Sequence, residues 1–294
     1  MRRLIINADD FGLTSGVNRA IAEAHARGIV TSTTLMANSG AFEEAASLAR
    51  SLSDPHFSVG CHVVLLDGEP LLPTSHVASL LQPNPGNGRF RFRDNLNDFA
   101  IASFRHKLAP DEIEAEAAAQ IERIQAAGVQ PSHFDTHKHA HMFPAVLRPL
   151  LRAARACNVP AVRNPFGQVW PLPMSSVLRT RRLWKRFAQL NVLRNFATRF
   201  RREVESHGLR TTDGSLGVLV TGVLDLKLFT AIADNMPDGT WEFVCHPGYN
   251  DADLDHVQTR LRRSREQELQ LLTSTQARGV LGQRNIELIS YREL

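Results

Sequence analysis

Short β-rich runs at residues 3–8, 30–36, 57–65, 132–136, 159–163, 216–221, 241–245 and 285–289 alternate with helical patterns at 15–27, 41–52, 111–127, 143–156, 225–235 and 256–278. That rhythm restricts the fold more than any other feature, because strands that take turns with helices form βα units and a parallel sheet. Seven or eight mostly parallel strands in 294 residues predict an α/β fold, a distorted TIM-like (β/α) barrel. An open doubly wound sheet is the alternative. Residues 1–294 read as a single domain with no internal repeat and no segment of low complexity. The rhythm lapses at 67–109, a long insertion with little regular pattern, whose Pro83, Pro85, Gly86 and Gly88 mark its most irregular loop. Insertions of that length on a barrel rim often line or cover a substrate site.

At 43% hydrophobic and 22% charged, the chain has the apolar content of a globular protein with a substantial core. The apolar run before Asp9 is too short for a secretion signal and no stretch approaches membrane-spanning length, so a cytoplasmic location is expected. Cys61, Cys157 and Cys245 are scattered and offer neither a disulfide framework nor a thiolate zinc site. Strand alternation turns Cys61 and Cys245 away from the histidine that follows each, toward a packed core. The basic pI near 9.3 comes from one place. Nine of the 34 Lys and Arg residues lie between Leu178 and Arg202 with no acid among them, leaving 25 basic against 30 acidic residues elsewhere. A nucleic-acid role is therefore not expected. This basic helical segment, 178–206, interleaves its charges with Trp184, Phe187, Phe196 and Phe200. It fits a helix lying on an anionic membrane surface, and equally a helix covering the barrel with its aromatics turned inward.

The chemistry-bearing residues collect near the ends of four strand candidates. Leu4-Ile5-Ile6 runs into Asn7-Ala8-Asp9-Asp10-Phe11-Gly12, and the third run carries Gly60-Cys61-His62. The fourth holds Asp135, His137, His139 and His141, and the seventh ends in Cys245-His246-Pro247-Gly248. Four of the twelve histidines fall between His133 and His141. On an extended backbone, Asp135, His137, His139 and His141 would share one face. Imidazoles and carboxylates brought together in this way suit a divalent cation. Each feature also has a plain reading: adjacent acids as a helix cap before Ser15, and lone histidines as satisfied core or turn residues. Their shared position is what argues for a site, since parallel strands in α/β folds bring their carboxyl ends to one rim.

Taken in order, Asn7-Ala8-Asp9-Asp10-Phe11-Gly12, Gly60-x-His62, Asp135-Thr136-His137-Lys138-His139-Ala140-His141, Val162-Arg163-Asn164-Pro165, His246-Pro247-Gly248 and Arg265-Glu266-Gln267-Glu268-Leu269 span nearly the whole chain. The set resembles the YdjC-like carbohydrate deacetylases, the family of chitooligosaccharide deacetylase. The stretch Cys61-His62-Val63-Val64-Leu65-Leu66-Asp67-Gly68 is similar to the branch associated with hopanoid biosynthesis, HpnK. The commoner family pattern has leucine after both the glycine and the histidine, so Cys61 and Val63 depart from it.

The resemblance implies a distorted barrel and one divalent metal ion, zinc or magnesium, held by Asp10, His62 and His137. Two histidines and one carboxylate leave coordination positions for water and a substrate carbonyl. Asp9, beside a ligand, is the candidate general base, and His246 the candidate general acid. His139 and His141 are expected to orient a ligand or contact substrate, and Arg163 to hold Asp9 ionised through a charge-assisted bond. The expected activity is removal of the N-acetyl group from an N-acetylglucosamine-type sugar, the head group of a hopanoid glycolipid. Soluble chitooligosaccharides are the alternative substrates. A phosphoesterase would want two metals and more carboxylates, and a non-catalytic sugar- or lipid-binding protein would close its metal with a fourth ligand. Peripheral membrane contact through 178–202 and a homodimer are kept open.

Overall fold

The computed structural model describes residues 1–52, 54–83, 88–167 and 196–294. Its strands, among the described residues, are β1 (Arg2–Phe11), β2 (Ser32–Leu35), β3 (Ser58–Val63), β4 (Leu81–Pro83), β5 (Phe90–Phe92), β6 (Phe134–Thr136), β7 (Ala161–Val162), β8 (Arg210–Thr211), β9 (Gly214–Leu216), β10 (Gly239–Cys245) and β11 (Ile286–Leu288). The helices are α1 (Ser15–Ala26), α2 (Phe42–Ser51), α3 (Leu96–Phe104), α4 (Pro110–Ala126), α5 (Pro144–Ala156), α6 (Ala197–Ser206), α7 (Leu226–Asp234), α8 (Ala252–Asp255), α9 (Arg263–Leu272) and α10 (Thr275–Gln283).

The main sheet runs β8-β7-β6-β3-β2-β1-β10-β9, and every pairing in it is parallel. Its two ends, β8 and β9, are halves of one passage of chain split at Thr212 and Asp213. The split is bridged from β7 and the residues after it. Asn164 Nδ2 donates to Thr212 O at 3.1 Å, and Ser215 Oγ to Asn164 O at 2.6 Å. The sheet is thereby nearly closed into a TIM-like barrel. β11 supplies the distortion: it pairs with Arg2–Leu4 at the start of β1, whereas β2 joins β1 only from Asn7 onward.

Side-chain alternation divides the barrel wall. Leu4, Ile6, Ala8, Phe134, Val162 and Phe243 face outward into the large apolar core under the helices. Cys61 and Cys245 join that core as unpaired, buried thiols. Inside, a small apolar plug of Ile5, Ala161, Ile289 and Tyr291 closes the lower end. Above it the barrel is filled with buried polar groups, among them Asn7, Thr34, His133, Asp135, Arg163 and Glu242. Barrel interiors are ordinarily packed with branched apolar side chains, so this polar filling needs a use. Gly60 allows part of it: a Cβ there would lie 2.5 Å from the His133 ring, which stacks on Tyr291 with centroids 3.5 Å apart.

Three expectations need correction. The insertion at 67–109 is more regular than its sequence, with the antiparallel hairpin β4–β5 and α3, whose start Asn95 caps by accepting from Asn97 N. Strands of three residues are too short to show a period. The run at 216–221 is strand only to Leu216, because Gly217 at φ 88 turns the chain into a tight 3₁₀ turn. The helical pattern at 256–278 is broken into α9 and α10, where Ser274 caps α10 by accepting from Ala277 N. Residues 178–195 of the basic segment lie outside the described residues. From Phe196 onward the chain forms α6, with Phe200 buried against Phe166 and His141. No helix among the described residues is long and apolar enough to cross a membrane.

Candidate active site

Adjacent strand residues normally face opposite sides, yet Asp9 and Asp10 both turn to the rim. The β1–β2 register shifts between Ala8 and Phe11, and Asp10 takes φ 71, a left-handed backbone unusual for a residue with a Cβ. This bulge aims the two carboxylates at different partners. Arg163 grips Asp9 with both ends of its fork, at 2.8 Å to Oδ2 and 2.6 Å to Oδ1. Asp10 Oδ2 accepts from Arg265 Nη2 at 2.5 Å, which leaves Oδ1 facing the histidines.

Asp10 Oδ1 lies 3.5 Å from both His62 Nε2 and His137 Nδ1, and those two nitrogens are 3.3 Å apart. The triangle is small enough for one divalent ion to touch all three atoms, and a donor set of one carboxylate and two imidazoles suits such an ion. His62 is oriented by Asp135, whose Oδ1 is 2.7 Å from Nδ1; a proton held there leaves Nε2 free as a ligand atom. On the far side of His137, Asp67 Oδ2 stands 4.0 Å from Nε2.

The expected shared face of Asp135, His137, His139 and His141 does not form. The strand stops at Thr136, and Lys138 and His139, both at φ 55, twist the chain into a 3₁₀ segment. Asp135 points down to His62 and Arg163, His137 to Asp10, and His139 into the cleft. His141 is outside that cleft's lining, buried with Nδ1 2.6 Å from Thr136 Oγ1. His246 completes the rim, with Nε2 3.9 Å from Asp9 Oδ2 and a buried, unpartnered Nδ1.

Arg163 is fully buried among three carboxylates, bonding Asp9, Asp135 and Glu242, and Tyr291 donates to the other Glu242 oxygen at 2.5 Å. Burial would raise the Asp9 carboxyl, but the Arg163 charge and hydrogen bonds outweigh it and hold Asp9 well below the usual carboxylate range. Arg265 does the same for Asp10. Burial opposes charge on His62, yet Asp135, Asp9 and Asp10 prevail and raise it to about 9 when no metal competes. His139 moves the other way, down to about 3, through burial and the nearby Arg163 charge. Burial also lowers His246, against the pull of Asp9 and Asp10. Burial pushes Glu242 up to about 7 despite Arg163.

All of this opens into a cleft of about 1100 Å³. Its lining includes a polar group, Asp67, Arg91 and Lys138, and an apolar stripe, Leu96, Ala100 and Phe104, from one face of α3. Four groups in the site escaped the sequence reading: Asp67, Glu242, Arg265 and Glu268. Asp67, Arg265 and Glu268 had a signal, since each stands in a stretch that carries the family resemblance; Glu242 had none.

A sequence profile described as YdjC-like protein matches residues 3–283. The chain belongs to the YdjC-like family. A carbohydrate deacetylase of Brevibacillus brevis (strain 47) is 34% identical over 293 residues, covering 99% of both chains. Another from Geobacillus stearothermophilus is 33% identical over 293 residues, covering 99% of this chain and 98% of the relative. Among solved structures, a protein of Enterococcus faecalis V583 assigned to cellobiose-phosphate cleavage superposes with a TM-score of 0.75 at 28% identity, over 99% of this chain and 98% of that one. The match to YdjC-like relatives thus runs through every strand that carries a rim residue.

Proposed function

We propose that the cleft is the active site of a metal-dependent N-deacetylase acting on an N-acetylglucosamine-type sugar, with the head group of a hopanoid glycolipid as substrate. The carrying observation is the Asp10–His62–His137 triangle with Asp9 and His246 beside it. A divalent ion bound there would polarise the acetamide carbonyl and lower the pKa of an attacking water. Asp9, kept ionised by Arg163, takes the proton from that water. His246 Nε2, 3.9 Å from Asp9 Oδ2, is beyond direct hydrogen-bond reach of it, so the proton reaches His246 through water in the cleft and passes from there to the leaving amine. Without that proton the amine is a poor leaving group and the tetrahedral intermediate returns to the amide. His139, held neutral, contacts the substrate from the other side of the cleft.

The lipid half of the proposal draws on two features: the Cys61 and Val63 departures, and the apolar α3 wall, which offers Leu96, Ala100 and Phe104 to a hydrocarbon skeleton. Peripheral contact of the 178–202 segment with an anionic cytoplasmic leaflet belongs to the same reading. The test is acetate release by zinc-reconstituted protein from a detergent-dispersed N-acetylglucosaminyl hopanoid and from chitobiose. Acetate from both, faster from the glycolipid, is the expected result. Faster release from chitobiose would leave a soluble-sugar deacetylase, phosphate release from a sugar phosphate without acetate would mean a phosphoesterase, and no product at all would mean a binding protein.

Metal uptake should depend on pH with a defined sign. His62 titrates at about 9 in the metal-free protein, so below that pH a proton must leave before its nitrogen can bind zinc. Affinity should therefore rise about tenfold per pH unit between roughly pH 6 and 8 and flatten above about 9. Chelator competition across pH measures it, and a flat profile would contradict a raised His62 that must lose a proton before binding zinc.

A further inference from the structure

Arg265 and Glu268 stand three residues apart on α9 and are 1% and 2% exposed. Buried charges of this kind are rare unless paired, and the partners of both belong to the rim. Arg265 Nη2 donates to Asp10 Oδ2 at 2.5 Å, so that only Oδ1 faces His62 and His137. Glu268 Oε2 accepts the backbone N–H of His246 at 2.6 Å, and its Oε1 that of Gly222 at 3.4 Å. The loop after His246 is tied to the same helix. Arg265 O accepts from Gly248 N at 3.3 Å, and Glu266 Oε1 from Asn250 N at 3.3 Å. Gly248 permits the close approach, since a Cβ there would lie 2.9 Å from Arg265 Cδ.

Apolar residues suffice to pack α9: Leu269, Leu271 and Leu272 already fasten it to the core. Its two buried charges instead reach Asp10, at the end of β1, and His246, at the end of β10. We infer that α9 is a brace setting the position of His246 relative to Asp10, in which Arg265 restricts Asp10 to one ligand oxygen and Glu268 fixes the His246 backbone. Arg265 lines the cleft but acts through Asp10, and Glu268 acts through the His246 backbone, so both are positioning residues. The inference rests on the metal and acid roles proposed above.

The test compares zinc affinity by chelator competition, kcat and KM for an N-acetylglucosaminyl substrate in wild type, Arg265→Lys, Glu268→Gln and Glu268→Ala, each scaled to folded protein by thermal unfolding. Arg265→Lys should bind zinc ~10- to 100-fold more weakly, with kcat recovering in excess zinc. Glu268→Ala should keep zinc affinity within about twofold of wild type and lose at least about tenfold in kcat at unchanged KM, on the scale of a displaced acid. Glu268→Gln, which keeps an acceptor for the His246 N–H, should recover part of that loss. A merely structural role would lower the melting temperature and the folded fraction while leaving zinc affinity and kcat per folded molecule unchanged; that result overturns the brace. Equal zinc affinity in Arg265→Lys and wild type, or joint loss of zinc and kcat in Glu268→Ala, would also overturn it. A wild type that binds no zinc would instead overturn the metal reading beneath it.

Discussion

His62→Ala and His137→Ala should each lose stoichiometric zinc and all measurable deacetylation while still unfolding cooperatively. Each histidine supplies one corner of a triangle with 3.3 to 3.5 Å edges. With only two protein ligands left, a zinc-class ion has no firm site. The fold should survive because neither residue belongs to the apolar core under the helices. Removing His62 does leave Asp135 without one bond, but Arg163 and Thr34 still hold that carboxylate at 2.5 and 3.2 Å. The stability cost should stay at about 1–3 kcal/mol. Metal analysis beside thermal unfolding checks this. Full occupancy with full activity in either variant would exclude that residue as a ligand.

Asp9→Asn should behave in the opposite way, keeping zinc and losing about two or more orders of magnitude in kcat. The substitution preserves shape but removes the charge that accepts a proton. It also frees Arg163 from one of its three carboxylates, while Asp135 and Glu242 continue to hold the guanidinium. Asp10→Ala, one residue on, should lose the metal itself. If Asp9→Asn were the variant that released zinc, the two aspartates would have to exchange roles.

Those two carboxylates show where reading the sequence succeeds and where it stops. The pair was visible after the Leu4–Ile6 run, and so was the alternation of strands and helices that makes a barrel. The bulge that separates their directions was not, because aspartate tolerates the left-handed backbone of Asp10 without requiring it. The same limit spoiled the expected face of His137, His139 and His141: alternation holds only while the backbone stays extended, and it ends at Thr136. Arg265 and Glu268 stood in a motif of the family resemblance but received no role, since periodicity cannot say that a polar face turns inward toward a carboxylate. Glu242 was hidden in the apolar β10 run, and its burial makes sense only beside Arg163, 79 residues earlier in the chain. The split between β8 and β9 is two residues long, below what any pattern can resolve.

In the proposed function, one metal ion at Asp10, His62 and His137 drives hydrolysis of an N-acetyl group. Titrating chelator-treated protein with zinc, while following acetate release from an N-acetylglucosaminyl substrate in the same samples, tests it most directly. Acetate release should be absent without metal, rise in proportion to added zinc and level off at one equivalent per chain. Undiminished turnover in the metal-free protein, or activity that appears only at a second equivalent, would exclude a single catalytic metal at these three residues.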